Sequence, residues 1–251
     1  MTNLPGKPDA RMRQTMAQAL IGTSGFDYPE WKPAFYPAEL PRKQFLPYYA
    51  TRFRTVELNN TFYQIPKPAR IASWSEATPE HFRFVLKASR KITHIERLKL
   101  PSEAARYFLQ AASGLQERLG ALLFQLPPFF RCDNAKLASF IAELPREIPT
   151  AFEFRHDSWF TDETYRILET YGAALCVHDG DEKTTPVHVT SRFMYLRLRK
   201  SSYTEEQREE WQEKIRAWVR QGLDVFAFIK HEDNPEAPLV ALQFDSGFSE
   251  T

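Results

Sequence analysis

Eight short apolar runs constrain this chain more than any other feature. Nearly all of them close on a charged or amide side chain, and helical or loop segments separate most of them. The clearest is residues 151–159, Ala-Phe-Glu-Phe-Arg-His-Asp-Ser-Trp. It alternates with the period of a strand, so Phe152 and Phe154 point one way and Glu153 and Arg155 the other. A strand that packs one apolar face on helices, and turns polar on the other face only near its C-terminal end, suits a closed parallel barrel. Functional residues of such barrels gather at those strand ends. The purely structural alternative is a buried Glu153–Arg155 ion pair that helps to hold the core.

Taken in order, residues 20–25, 55–60, 82–88, 121–128, 151–155, 173–180, 193–199 and 224–230 read as strands. Helical spacing is expected over 41–53, 70–77, 101–119, 135–144, 162–171, 204–221 and 237–244, with Gly172 as a C-cap. The link 181–191 has no helical period. Glu57, Lys87, Gln125, Glu153, Arg155, Asp179, Arg197, Arg199 and Lys230 end the runs and are expected to face inward. A doubly wound open sheet would concentrate such residues at one crevice instead. The expected fold is therefore an α/β TIM-type (β/α)8 barrel of parallel strands in a single domain over residues 19–244. A flexible N-terminal arm (1–18) and a C-terminal tail (245–251) would flank it.

Composition narrows the function. A formal net charge of +1 over 251 residues provides no global field for nucleic acid or membrane. Cys132 and Cys176 form no CxxC or zinc spacing, and a reducing, cytoplasmic setting is the simplest reading. No apolar run reaches the length of a membrane span. Residues 1–18 lack the apolar centre of a signal peptide. Neither a GxGxxG nor a Walker loop is present, HExxH is absent, and Ser24 lacks the spacing of a GxSxG elbow. No cofactor is expected.

Several ordered motifs carry a family resemblance: Ile21-Gly22-Thr23-Ser24-Gly25-Phe26 with Tyr28, Trp31 and Phe35-Tyr36-Pro37; Val56-Glu57-Leu58-Asn59 with Thr61-Phe62-Tyr63; Phe84-Val85-Leu86-Lys87; Gln125-Leu126-Pro127-Pro128; and Glu153-Phe154-Arg155-His156 with Trp159. From residue 20 to residue 242 the chain resembles the domain-of-unknown-function family 72, the YecE-like proteins. The resemblance implies a TIM-type barrel and no particular reaction. Two positions depart from the family pattern. Arg199-Lys200 stands where many members have a histidine and glycine, and Ile229-Lys230-His231-Glu232 stands where many have paired asparagines. An activity that used the family's histidine would have to be carried here by His231.

The inward charges define the expected chemistry. Lys87, Arg155, Arg197, Arg199 and Lys230 outnumber Glu57, Glu153 and Asp179. A bound phosphate or carboxylate would relieve the cost of burying the excess cations. Glu57, Lys87, Glu153 and Asp179 are the catalytic candidates, with Glu57 and Glu153 as general acid or base. Lys87 could serve as an imine-forming amine, a role that nearby carboxylates would oppose. Candidate substrate contacts are Asn59, Tyr63, Gln125, Arg155, His156, Trp159, Arg197, Arg199 and Lys230, with Tyr28 and Trp31 at an aromatic rim. A metal cluster of Glu57, Glu153, Asp179 and His178 or His231 is set aside. The period of two points His178 away from Asp179, and cations crowd the site.

The expected function is an enzyme doing hydrolase-, lyase- or isomerase-type acid–base chemistry on a small anionic substrate, such as a phosphorylated one. The alternatives are a nucleic-acid-processing or nucleic-acid-binding barrel, which is not favoured, and a non-catalytic ligand-binding barrel. No membrane partner is expected, and the sequence does not set the oligomeric state.

Overall fold

The structure, a computed structural model, describes residues 17–230 and 235–248. The expected arm thus lies outside the described residues except for its last two positions, as does His231. Among the described residues eight strands form: β1 (Ala19–Thr23), β2 (Thr55–Leu58), β3 (Arg83–Lys87), β4 (Leu119–Gln125), β5 (Thr150–Glu153), β6 (Ala174–Asp179), β7 (Phe193–Leu198) and β8 (Asp224–Ile229). They lie side by side in the order β1-β8-β7-β6-β5-β4-β3-β2. Every pairing is parallel. At the seam between β1 and β2 a parallel bridge joins Ser24 to Glu57, so the barrel is nearly closed. Gly22 permits that approach, because a Cβ there would overlap the Thr55 carbonyl oxygen.

Among the described residues seven helices alternate with the strands: α1 (Phe45–Ala50), α2 (Pro68–Glu76), α3 (Glu103–Ser113), α4 (Asn134–Ala142), α5 (Asp162–Tyr171), α6 (Glu205–Arg220) and α7 (Ala237–Asp245). Local chemistry sets several of their ends. Thr204 and Gln207 form a capping box that starts α6. Gly172 closes α5 in the left-handed region at φ 68°, where a Cβ would be strained. The expected helix over 101–119 is shorter, because a 3₁₀ turn at Gln116–Arg118 leads into β4 two residues early. Among the described residues no helix joins β6 to β7, as the link 181–191 implied.

Two apolar layers follow from the strand alternation. Outside the barrel, Val56, Phe84, Leu86, Leu122, Phe124 and Phe152 pack beneath the helices. Inside it, Ala121, Ala151 and Ala174 of β4–β6 face Phe193, Tyr195, Phe226 and Phe228 of β7–β8. The rings on one side occupy the space that the alanines leave on the other, and the Phe226 ring reaches Gly120 of β4. This fills the lower barrel as a core, so any site must lie above it, at the C-terminal strand ends.

The structure corrects two register expectations. Strand β5 ends at Glu153, so Arg155 emerges on the following loop, half-exposed. In β6, Ala174 and Cys176 face the interior, which turns His178 inward and Asp179 outward. The run Ala-Ala-Leu-Cys-Val is apolar on both faces, so its period gave no reliable phase.

Candidate functional site

Above the aromatic layer, the strand ends carry a buried ionic cluster centred on Arg197 of β7. Its Nη2 donates to Glu57 Oε1 of β2 at 2.8 Å, and its Nη1 donates to Glu153 Oε2 of β5 at 2.6 Å. One guanidinium therefore spans the barrel and bridges two carboxylates, one through each terminal nitrogen, by charge-assisted hydrogen bonds. Glu57 also accepts from Ser24 Oγ (2.7 Å), Tyr195 Oη (2.7 Å), Arg199 Nη2 (3.0 Å) and Asn59 Nδ2 (3.2 Å). Glu153 accepts from Gln125 Nε2 at 2.9 Å and pairs with Arg155 Nε at 2.6 Å.

Burial alone would raise both carboxyls. For Glu57, the charges of Arg197 and Arg199 and the bonds from Tyr195 and Ser24 overcome it and hold the group at about 2. For Glu153, burial is likewise overcome, by Arg197 and Arg155, and its value falls well below the ordinary carboxylate range. Both are permanent anions near neutral pH with their oxygens already engaged. They position the arginines and are poorly placed to shuttle protons, which departs from the general acid or base role expected of them.

Lys87 differs. It closes β3 on the inward side, and its Nζ lies 4.3 Å over the Phe62 ring. Among the described residues it has no ion pair with a carboxylate, and neither has Lys230. Burial and the Arg197 charge push the Lys87 amine down to about 8, against the opposing pull of Glu153 and Glu57. Burial and the arginine charges thus outweigh the carboxylates that were expected to keep this amine charged. Burial pushes His178 down to about 4, although its Nδ1 lies 3.7 Å from Glu153 Oε1. His94 is also lowered, by burial and by the charges of Lys87 and Arg90.

These groups border an open cavity of about 840 Å³ at the barrel mouth. Lys87, Gln125, Arg155, His178, Arg197, Arg199 and Lys230 line it, with Tyr63, Arg90 and His94 from the loops. Asp181, Glu182 and Lys183 of the β6–β7 link border one side, and Lys183 pairs with Asp157.

Several expected site residues lie elsewhere. Asp179 faces outward, where Trp211 Nε1 of α6 and Tyr203 Oη donate to it at 3.0 and 3.1 Å. Trp31 and Trp159 are fully buried and present no surface to a ligand. Trp159 stacks on Phe154 with centroids 4.6 Å apart and donates to the Phe130 carbonyl. Tyr28 packs against Trp31 and borders a separate small cleft with Asn59. His156 caps a 3₁₀ turn by accepting from Ser158 N. Sequence reasoning missed Ser24, Tyr195 and His178 as members of the cluster. The inward phase of β7, which placed Arg197, also placed Tyr195 two residues before it.

The metal cluster set aside above does not assemble among the described residues. Asp179 points away, and among the described residues no three His, Cys, Asp or Glu side chains converge to hold an ion. Nor is any described helix long and apolar enough to cross a membrane.

Eight parallel strands with alternating helices, and a polar mouth at their C-terminal ends, define a TIM-barrel protein. The chain belongs to the family described as "Protein of unknown function DUF72", whose model matches residues 20–250. It is 30% identical to UPF0759 protein YunF of Bacillus subtilis (strain 168) over 140 residues, 53% of this chain and 50% of that protein. It is 35% identical to UPF0759 protein YecE of Escherichia coli (strain K12) over 113 residues, 45% of this chain and 42% of that one. The match thus spans about half the length of these curated relatives or less. Among solved structures, a DUF72 family protein (TM1631) from Thermotoga maritima MSB8 superposes with a TM-score of 0.81 at 30% identity. That superposition covers 92% of this chain and 99% of that one. A second DUF72 family protein (EF0366), from Enterococcus faecalis V583, has a TM-score of 0.74 at 21% identity, covers 94% and 99% of the two chains, and supports the fold alone.

Proposed function

We propose that the mouth is the active site of an enzyme that binds a small anionic substrate and acts on it by acid–base chemistry. One observation carries this reading. Lys87 and Lys230 line the cavity without a carboxylate partner among the described residues, beside Arg155, Arg197 and Arg199, which engage Glu57 and Glu153. A phosphate or carboxylate would supply the missing negative charge, and Arg155, half-exposed at the cavity wall, is placed to meet it. Lys87, held at about 8, is placed to exchange a proton near neutral pH, His94 and His178 are held towards their neutral form, and the two glutamates hold the frame.

A ligand that binds only the folded state stabilises it by mass action, by about 2.7 kcal/mol at a hundred times its dissociation constant. For a chain of this size that corresponds to roughly 5–10 °C in melting temperature. Inorganic phosphate, sulfate or a sugar phosphate should therefore raise the melting temperature above a chloride control of matched ionic strength. Arg155→Gln and Lys230→Gln should each remove most of the increment. No increment over chloride would reduce the mouth to an internal ion-pair network.

The nucleic-acid alternative draws on one observation. Tyr63, Ile95 and Phe129, on three successive βα loops, are exposed by 74%, 60% and 64%. A single-stranded oligonucleotide titrated across salt tests it. Tight binding that falls steeply with salt and survives Arg155→Gln would favour that reading over the small-molecule pocket.

A further inference from the structure

We infer that Lys87 is a covalent nucleophile that forms an imine with a carbonyl group of the anionic substrate, so that the substrate class is a small oxo acid or a phosphorylated aldehyde or ketone. This inference rests on the proposed anion site and adds the chemistry done there.

The geometry supports it in three ways. First, Lys87 stands at the inward end of β3, where barrel chemistry is carried out, and faces the cavity. Second, its amine is set over the face of Phe62 and has no carboxylate partner among the described residues, so no strong acceptor fixes its proton or blocks its lone pair. Third, the charged groups around it are arranged unequally. Glu57 of β2 and Glu153 of β5 are both bound by Arg197 of β7. Arg199 also binds Glu57, and Arg155 also binds Glu153. Arg90 and His94 approach from the β3–α3 loop, His178 from β6 and Lys230 from β8. Cations next to a lysine favour its neutral, nucleophilic form. The same cations hold the substrate's anionic group and so bring its carbonyl to the amine.

The step balances without a redox partner. The neutral Lys87 amine attacks the carbonyl carbon, the new C–N bond forms, and the carbonyl π pair moves to oxygen. Proton transfers from nitrogen to oxygen, together with the proton that Lys87 carries when charged, allow the oxygen to leave as water. A lysine ammonium and a ketone thus become a protonated imine and one water. The imine withdraws electrons from the neighbouring carbon, which permits the loss of a proton or a carbon group there. His94 and His178 line the same cavity and are kept in their neutral form by their surroundings, so they can accept and return that proton.

The test is reductive trapping on the full chain. Pyruvate and glyoxylate serve as oxo-acid probes, acetone is the uncharged carbonyl control, and cyanoborohydride is the hydride donor. Peptide mapping by mass spectrometry locates the adduct. With its amine near 8, Lys87 presents on the order of a hundredfold more free amine at pH 7 than a solvent-exposed lysine. The reduced adduct should therefore form at Lys87 at least tenfold faster than at any other lysine, and faster with pyruvate than with acetone. Inorganic phosphate should suppress it, and it should be absent from Lys87→Arg. Trapping spread evenly over surface lysines, or equal for pyruvate and acetone, overturns the imine. If phosphate still stabilises the wild type in that case, the anion site stands and only the covalent step is lost. If phosphate also fails, the anion site falls with it.

Discussion

Replacing Arg197 with methionine should lower the melting temperature at pH 7 by roughly 10 °C or more. The guanidinium lies between Glu57 and Glu153, with oxygens of both carboxylates within 2.8 Å of its terminal nitrogens. Removing one partner of a buried pair typically costs about 3–5 kcal/mol, because the remaining charge is left without compensation. Here one substitution weakens the compensation of two buried carboxylates, leaving Glu57 to Arg199 and Glu153 to Arg155, and a chain of this size loses about 2–4 °C per kcal/mol. Arg197→Lys should rescue little, since a single ammonium lacks the two spaced nitrogens that reach both carboxylates.

The pH dependence of this effect has a definite sign. Glu57 is held at about 2 against an ordinary value of 4.5. Its contribution to stability is present in full above 4.5 and is lost as pH falls from there towards 2. The wild type should therefore lose stability steeply below about pH 4.5. In Arg197→Met the carboxyls take up protons at higher pH, so the deficit relative to wild type narrows on acidification. Circular dichroism melts of both proteins at pH 7 and pH 4 measure this. A deficit that is small, or that widens at pH 4, would show that Arg197 does not hold the two glutamates in their charged form.

Lys87→Met should act in the opposite direction. The folded protein holds this amine at about 8, below its ordinary value of 10.5, because burial and Arg197 disfavour the charge. The penalty is present in full below about pH 8 and fades as pH rises towards 10.5. Removing the ammonium should relieve it, less the cation–π contact with Phe62 and the attraction of the glutamates. At pH 7 the net gain is expected to be about 1–3 kcal/mol, or a melting temperature several degrees higher. Two cations in one mouth then have opposite effects when deleted: Arg197 holds the barrel together, and Lys87 strains it. A residue that costs stability while lining a cavity is the pattern expected of a functional group. A lower melting temperature for Lys87→Met across pH 6–8 would mean that Lys87 is a structural partner of Glu57 and Glu153.

Much of the barrel was legible because local chemistry and global topology agree. Glu57, Lys87 and Glu153 each end an apolar strand run, and the structure brings them to one mouth. The cap at Gly172 and the capping box of Thr204 and Gln207 fixed the ends of their helices through short-range contacts. What was illegible depends on contacts between distant segments. The phase of β6 could not be read from a run that is apolar on both faces, so Asp179 and His178 exchanged sides. Trp31 and Trp159 look like rim residues in sequence. They are buried because Tyr28, Phe35 and Tyr36 enclose the first, and Phe154 and the Phe130 carbonyl receive the second. The division between frame and function within the charged set was equally hidden. Counting inward charges shows an excess of cations, but only the geometry shows that Arg197 engages both glutamates while Lys87 engages neither.

That division can be measured at Lys87 itself. An NMR titration of lysine Cε and Hε signals, with Lys87 assigned by its loss in Lys87→Arg, reports the protonation of this amine directly. In the ligand-free protein its midpoint should lie near 8. Saturating inorganic phosphate should move it upward, because an anion in the mouth favours the charged form. A midpoint at the ordinary lysine value of 10.5, unchanged by phosphate, would contradict both the strained amine and the anion site built around it.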